Sequence, residues 1–471
     1  MNFVSVQFAV LFGAVLLLLL ILRSNLHKKI MLLAASAVFY AFWDWRFLGL
    51  LALVVCVDYF ISKKMAVTDS PRGRRVLLTI SLVVSLGLLF AFKYFNFFLD
   101  GLNVILSAFH LNVGTLKIIL PLGISFYTFS TISYIVDVYR GGQPAESLLD
   151  YALFLSFFPR LAAGPIMRAN EFLPQLKRDI RLNLPNLLSG AQMFAQGLLK
   201  KLVVADRIAF GVDTVYANPY VYSPSSVWVA ALSYAVQIYF DFSGYSDMAI
   251  GLGRILGFDL PQNFNLPYTA QSITEFWQRW HITLSAWVRD YVFFPLRRAL
   301  LRSRDRVPGW LTTAIPPLVT MLVVGIWHGA DWNFVLWGGL HGLFLAAERL
   351  IHGERPIAPG VGVRAWLRAG VTFILVTFAL VIFRSSSASE IGAIFSKLFF
   401  LSNYGVGWHY TPGTLFIVVV VLGGMVMRSL NFNVTTLNYS RPLSFAVLVM
   451  MFVWAYIFAA AKMDPFVYFQ F

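Results

Sequence analysis

Three histidines set among aromatic and glycine residues are the side chains of this 471-residue sequence best suited to catalysis. His281 lies in the aromatic stretch 276–285, His328 lies in the uncharged window 307–330, and His341 follows thirteen residues later. Burial keeps an imidazole neutral, and a neutral imidazole can take a proton near pH 7. The natural task of such a base is to deprotonate a hydroxyl that attacks an activated acyl group. A lone buried histidine is usually structural, but the aromatic and glycine neighbours favour a cavity here.

The sequence gives less support for a nucleophilic serine or cysteine or for a bound metal ion. The sequence has no Gly-x-Ser-x-Gly motif, and Cys56, its only cysteine, lies in an apolar run without a neighbouring base. Direct transfer to an acceptor hydroxyl is therefore favoured over an acylated serine or cysteine of the enzyme. His328 and His341 are too far apart for a close zinc-binding motif, so we expect no bound metal ion.

Polar residues interrupt the apolar sequence between about 120 and 345. Ionisable groups at membrane depth cost several kcal/mol unless they are paired or hydrated, which makes them functional candidates. Candidates for lining a donor or substrate channel are Arg160, Gln237, Tyr239, Asp241, Ser243, Arg279, Trp280, Trp327 and His341.

Two of the polar stretches contain helix-breaking residues. Pro121 and Gly123 predict a broken helix, with a substrate-lining role and a plain packing kink about equally compatible. Residues 157–166 hold two prolines and a glycine around Arg160 and predict a short re-entrant or interfacial element. Arg160 could receive an anionic donor such as the phosphates of coenzyme A, and contact with lipid phosphate explains it equally well.

Asp241 follows a long uncharged stretch, which places it at or near the bilayer interface. Asp241 and Asp247 are six residues apart and do not share one face of a regular helix. A helix-terminal hydrogen-bonding role for Asp241 is slightly favoured over direct catalysis.

The composition identifies the elements that must hold these side chains. Apolar and aromatic residues make up 59% of the chain and Asp, Glu, Lys and Arg only 13%, which excludes a soluble protein. Unbroken Leu, Val, Ile and Phe runs favour helices over a barrel. We expect an all-α polytopic membrane protein with eleven to thirteen membrane segments, some broken or re-entrant. Its uncharged windows are 1–22, 76–92, 118–136, 182–199, 214–240, 307–330, 398–427 and 442–461, with shorter ones at 30–43, 47–57, 332–347 and 369–383.

Basic residues set the expected orientation. No basic residue precedes the first apolar run, while Arg23, Lys28 and Lys29 follow it, so we expect a retained membrane segment with its N-terminus outside. The basic stretch 289–306 is then cytoplasmic. Topology and contact with anionic membrane lipids explain most of the +15 net charge, and no motif suggests nucleic-acid binding.

These motifs resemble the membrane-bound O-acyltransferase family, specifically its bacterial branch with alginate O-acetyltransferases and the D-alanyl transfer proteins of teichoic acids. Residues 279–291 resemble the branch's arginine-tryptophan-histidine signature, and residues 327–329 resemble its second histidine signature. The resemblance implies a helical fold whose funnels from the two membrane faces meet near a buried histidine. It matches His328 to the catalytic histidine and His281 to a second conserved polar position. We expect one domain over residues 1–471, with its motif-rich core at about 120–345.

The resemblance also implies the reaction. An acetyl group would pass from a cytoplasmic thioester, acetyl-CoA or acyl carrier protein, across the bacterial inner membrane to an exopolysaccharide or a cell-wall glycan. No bound cofactor is expected, and the likeness implies a periplasmic SGNH-hydrolase-like acetyltransferase that completes the transfer.

The C-terminal aromatic motif 466–471 adds a further expectation. It is similar to the terminal motif of this branch, which implies that Tyr468 carries the acyl group transiently. An aromatic belt that anchors the last helix is an equally strong alternative.

Two other function classes compete with this interpretation. A transporter or flippase of a polymer precursor or acyl carrier would also use broken helices and buried polar residues, and internal repeats would favour it. The histidine stretches occur only once in the sequence. A structural scaffold would need the helices but not the histidines.

Overall fold

The computed structural model describes residues 1–111, 113–303, 307–353, 360, 362–408, 411–429, 442–459 and 466. In these residues the regular secondary structure is helical, and the only β-type pairing is the isolated bridge between Tyr222 and Val406. The predicted all-α fold class is therefore confirmed.

Twenty-one α-helices occur in the described part of the chain. They are α1 (Val6–Ile21), α2 (Asn25–Asp44), α3 (Phe47–Ala66), α4 (Pro71–Leu89), α5 (Phe95–Ser107), α6 (Ile124–Tyr139), α7 (Leu148–Ser156), α8 (Phe158–Leu161), α9 (Ala169–Leu176), α10 (Leu184–Leu198), α11 (Asp206–Ala217), α12 (Pro224–Ile255), α13 (Ile273–Arg279), α14 (Ile282–Val288), α15 (Phe294–Arg302), α16 (Gly309–His328), α17 (Trp332–His352), α18 (Val363–Arg384), α19 (Ala388–Leu398), α20 (Thr411–Ser429) and α21 (Pro442–Ile457). Wider π-helical turns occupy Phe90–Tyr94, Leu199–Ala205 and Arg289–Phe293.

Short polar side chains fix several helix starts. Ser5 accepts a hydrogen bond from the Phe8 amide at the start of α1, and Ser272 accepts one from the Glu275 amide at the start of α13. Asp331 caps α17 by accepting from the Trp332 amide. Each cap satisfies an amide that has no partner inside its helix.

Four helical stretches in the described residues are long and apolar enough to cross a bilayer: Pro71–Ser107, Gly309–His328, Trp332–His352 and Val363–Arg384. Shorter apolar helices lie at Val6–Ile21, Gly413–Met427 and Pro442–Ile457. The helices that contain the remaining predicted segments are shorter or carry charged residues outside the uncharged windows, so their position in the bilayer remains a prediction.

The two stretches with helix breakers interrupt regular structure as predicted. Gly123 adopts a left-handed conformation with φ 70° immediately before α6, and a side chain there would collide with the Leu161 carbonyl oxygen. The stretch 157–166 forms only the four-residue helix α8 and then irregular backbone, and it is buried throughout. Proline and glycine thus place a helix start beside an irregular turn.

Backbone contacts divide the chain into two compact units. The first contains Met1–Phe194 and Ser246–Pro261, and the second contains Ala195–Tyr245 and Gln262–Phe471. In the first unit, the buried Asp58 carboxylate on α3 accepts hydrogen bonds from Ser81 on α4 at 2.5 Å and Tyr151 on α7 at 3.1 Å. All three histidines belong to the second unit.

Helices α16 and α17 form a tight antiparallel hairpin that carries His328 and His341. Glycines allow this close approach, because a Cβ on Gly325 would collide with the Phe334 carbonyl oxygen and one on Gly338 with that of Met321. The hairpin brings His328, at the end of α16, beside Trp337 in the second turn of α17.

We expect Gly338→Ala to destabilise the protein by about 1–3 kcal/mol, because the added methyl group forces the two backbones apart. Gly339→Ala is the matched control. A Cβ at Gly339 meets its nearest neighbour, a Leu322 methyl, at 3.7 Å, and alanine is a better helix former than glycine. Thermal unfolding in detergent checks the pair, and equal melting temperatures for the two variants would contradict the packing argument.

Candidate active site

His281 is buried at the start of α14 in a left-handed backbone conformation with φ 42°. Its Nδ1 lies 3.1 Å from Oδ1 of Asn263, which also accepts hydrogen bonds from the Thr283 amide and hydroxyl. Because a carbonyl oxygen cannot donate, Nδ1 carries the proton in this hydrogen bond. Nε2 of a neutral His281 is consequently the nitrogen that can accept a proton or a hydrogen bond.

Aromatic rings enclose His281. The Phe242 ring of α12 meets its imidazole edge to face at 4.7 Å, and Phe264 lies at 6.4 Å. Trp280 and Tyr239, two predicted channel residues, pack on Phe264 at 5.1 and 5.8 Å. These contacts hold the imidazole orientation and exclude water.

Trp327 connects the two histidines of the predicted pair. Its ring lies 6.1 Å from the ring of His281 and 4.9 Å from that of His328. His328 is the last residue of α16 and is 3% exposed. The structure thus brings together side chains that are 47 positions apart in sequence.

Trp337 lies between His328 and His341. Its ring centroid is 5.0 Å from that of His328 and 4.9 Å from that of His341. Nδ1 of His341 accepts a hydrogen bond from the indole of Trp277 at 3.4 Å. His341 therefore belongs to the same aromatic cluster, one ring beyond His328.

Asp241 lies in the interior of α12, so the predicted helix-terminal role is wrong. Its carboxylate pairs at 2.7 Å with Lys201, whose ammonium group also pairs at 2.8 Å with Asp206. The three side chains are at most 6% exposed. A buried carboxylate can lie inside a helix because an ammonium group from the π-helical turn compensates its charge.

Gln237 and Ser243 are also buried on α12. Gln237 Oε1 and Ser243 Oγ have no hydrogen-bond partner within the described parts of the chain. Buried polar atoms without partners are uncommon, and such atoms can bind water or substrate.

The two arginines of the predicted channel differ. Arg279 is partly exposed and pairs with Glu275 at 2.5 Å. Arg160 lies in the first compact unit, where it is 5% exposed and donates to the Phe154 carbonyl and, at 3.3 Å, to the Ser130 hydroxyl.

Tyr468, the predicted acyl carrier, lies outside the described residues. Phe466, two positions earlier, is described and is only 1% exposed. Its ring stacks on Tyr245 at 4.6 Å and contacts Phe242 at 5.5 Å. The described part of the C-terminal motif therefore packs on the same phenylalanine that contacts His281.

A cavity of about 440 Å³ extends beside the histidine cluster. Trp277, the partner of His341, lines one part, and Val324, one helical turn before His328, lines another. Arg289 and Arg349 also line it, and Arg349 stacks over Phe293 at 4.5 Å. The remaining lining is mainly apolar, so the cavity suits a long, mostly apolar ligand with an anionic group.

Comparison of the sequence with known proteins identifies a family whose shared region includes this site. The family model of the membrane-bound O-acyltransferases matches residues 145–354, which include His281, His328 and His341. The "Probable alginate O-acetylase AlgI" of Pseudomonas putida is 36% identical, with both chains covered in full. The chain belongs to the membrane-bound O-acyltransferase family.

Two other relatives extend the comparison. The "Probable alginate O-acetylase AlgI" of Pseudomonas aeruginosa is 40% identical over 85% of this chain and 75% of its own. The "Peptidoglycan O-acetyltransferase" of Helicobacter pylori is 38% identical over 78% of this chain and 72% of its own. This membrane-bound O-acyltransferase is thus an acyltransferase and a multi-pass membrane protein that uses an acyl donor.

Sequence reasoning missed three residues of the site: Asn263, Trp337 and Lys201. Trp337 could have been found, because it precedes His341 by four residues and shares its helix face. Asn263 lies in the irregular segment before α13 and Lys201 lies in a π-helical turn, and neither position has a periodic signal.

Proposed function

We propose that this enzyme transfers an acetyl group from a cytoplasmic thioester across the bacterial inner membrane for O-acetylation of an exopolysaccharide or cell-wall glycan. The names of the relatives support this acceptor class, since they act on alginate or peptidoglycan. The whole chain, residues 1–471, would act as one acyltransferase domain with a periplasmic N-terminus.

The observation that carries the proposal is the connected series of His281, Trp327 and His328 beside a cavity. Val324 of the cavity wall is one turn from His328, and the cavity extends along α17 toward Arg349. Arg289 begins the basic stretch predicted to be cytoplasmic. A donor could therefore enter from that side with its thioester directed toward His328.

The reaction then needs a base and an oriented acceptor. The acceptor oxygen attacks the thioester carbonyl carbon, a C–O bond forms and the C–S bond breaks. His328 takes the hydroxyl proton and passes it to the departing thiolate. His281, held by the hydrogen bond from its Nδ1 to Asn263, packs against Trp327 and so positions that ring beside His328.

The first acceptor in this proposal is Tyr468. Support for this choice comes from Phe466, two positions earlier in the sequence, whose ring packs on Phe242 and Tyr245. The periplasmic SGNH-hydrolase-like partner would move the acetyl group from the tyrosyl ester to the glycan hydroxyl.

Replacing Tyr468 by Phe is expected to abolish glycan acetylation in cells while the protein remains folded, because phenylalanine keeps the aromatic ring and lacks the nucleophilic hydroxyl. Tyr456→Phe on α21 is the control, since that side chain is 85% exposed. The degree of acetylation of isolated polymer checks both variants. Full acetylation in the Tyr468 variant would exclude the carrier role.

The donor is an acetylated phosphopantetheine thioester, carried either by coenzyme A or by an acyl carrier protein. Both contain a long arm with a phosphate group, which suits a mainly apolar cavity with two arginines. No metal ion or resident cofactor takes part in the proposed steps.

Arg349→Gln tests the donor site. A charge-assisted hydrogen bond to a phosphate contributes about 1.5–3 kcal/mol, so the KM for acetyl-CoA should rise about tenfold or more with a smaller change in kcat. Arg302→Gln is the matched control, because Arg302 is an exposed arginine of α15 that does not line the cavity. Unchanged KM values for both acetyl-CoA and acetylated carrier protein would contradict this donor site.

A further inference from the structure

The indole N–H of Trp337 is a buried donor without a hydrogen-bond partner among the described residues. The side chain is 4% exposed. Leaving such a donor unsatisfied costs about 1–3 kcal/mol, so it calls for a physical reason. Trp277, in the same cluster, illustrates the ordinary case, since its indole donates to His341.

The neighbours of Trp337 fix the position of its ring. The ring is enclosed by aromatic side chains: His328 at 5.0 Å, Phe383 at 5.3 Å and Trp277 at 5.9 Å. The hairpin glycine Gly338 follows it directly, so the tight packing of α16 on α17 fixes its backbone. The ring that carries the donor is therefore packed against His328.

We propose that Trp337 is a catalytic residue whose indole N–H stabilises the oxyanion of the acyl-transfer step. This inference rests on the proposed function. When the acceptor oxygen attacks the thioester carbonyl carbon, the carbonyl π electrons move to its oxygen. The indole N–H donates a hydrogen bond to that negative oxygen, and the electrons return as the C–S bond breaks.

In this role the indole N–H donates only when negative charge develops on the thioester carbonyl oxygen. No described residue accepts a hydrogen bond from this N–H, so a donor fixed in this way needs no reorganisation at the moment of reaction. A fixed donor in a site that excludes water stabilises a developing charge more strongly than water does. Because no described residue uses this donor in the resting protein, the donor is available to the transition state.

The test removes the N–H and keeps the ring. Replacing Trp337 with 3-(3-benzothienyl)alanine substitutes sulfur for the N–H group with nearly the same shape, and Trp337→Phe is the genetically encoded companion. We expect kcat for acetyl transfer from acetyl-CoA to fall about 10²–10³-fold, with KM nearly unchanged. The melting temperature of the benzothienyl variant should equal or exceed that of the wild type, because an unsatisfied donor has been removed.

Trp332→Phe at the exposed start of α17 is the matched control and should retain wild-type kcat, since Trp332 is 67% exposed. A benzothienyl variant with kcat within about twofold of wild type would overturn the proposal, as would a loss of kcat that merely parallels a lower melting temperature. A different result would reject the proposed function itself, namely acetyl transfer that survives His328→Gln. A dead His328 variant together with a fully active benzothienyl variant would reject only the role of Trp337.

Discussion

His328→Gln is expected to reduce acetyl transfer about 10²–10⁴-fold, the range that a positioned general base contributes. Glutamine occupies a similar volume and retains hydrogen-bonding groups, but it cannot take a proton near pH 7. The loss should appear in kcat, because His328 acts on the hydroxyl in the transition state rather than on donor binding. Acetyl transfer from a labelled thioester by the purified protein measures it.

Two comparisons make the His328 result specific. His352→Gln, at the exposed end of α17, should stay within about twofold of wild type because a surface substitution changes little. His281→Gln should lose activity as well, since His281 packs on Trp327 and positions that ring beside His328. Turnover that survives the loss of His328 would reject the proposed mechanism.

Lys201→Met is expected to cause the largest loss of stability, about 3–5 kcal/mol, because it leaves two carboxylates buried without a compensating cation. The ammonium group lies 2.8 Å from Asp206 and 2.7 Å from Asp241, and the three side chains are almost fully enclosed. Asp241 precedes Phe242, the ring against His281, so activity should fall together with stability. Unfolding in detergent, followed by tryptophan fluorescence, provides the measurement.

The matched control is Lys177→Met, which removes one partner of an exposed ion pair. Lys177 lies 2.5 Å from Glu146, and the two side chains are 63% and 68% exposed, so the expected cost is at most about 1 kcal/mol. Neutralising both carboxylates in the Lys201→Met background, with Asp206→Asn and Asp241→Asn, should recover most of the lost stability. A Lys201→Met protein as stable as the Lys177→Met protein would contradict a buried ion network.

The helical class could be predicted because the bilayer demands long apolar segments. The uncharged windows 1–22, 307–330 and 332–347 contain α1, α16 and much of α17, and Pro121 and Gly123 interrupt regular structure before α6. Asp241 was assigned wrongly because a charge after an apolar run resembles the end of a helix. Its partner Lys201 lies forty residues earlier, and no sequence period connects the two.

The sequence likewise predicts some residues of the candidate site and not others. His281 and His328 were found from residue type, apolar surroundings and family likeness. The residues that orient or join them depend on tertiary contacts: Asn263 reaches His281 across eighteen positions, and Trp327 bridges two helices. Such contacts follow from packing, which neither composition nor hydrophobic period specifies.

The most direct test of the central claim follows both halves of the donor across a membrane. The protein is reconstituted in vesicles, and acetyl-CoA with separate labels on the acetyl group and on coenzyme A is supplied on the side of the basic stretch 289–306. The account predicts that the acetyl label reaches an acceptor hydroxyl on the far side, the coenzyme A label remains as free thiol where it was added, and His328→Gln stops both events. If both labels instead cross together as intact thioester, the protein moves its substrate without breaking the C–S bond, and the acyl-transfer account is contradicted.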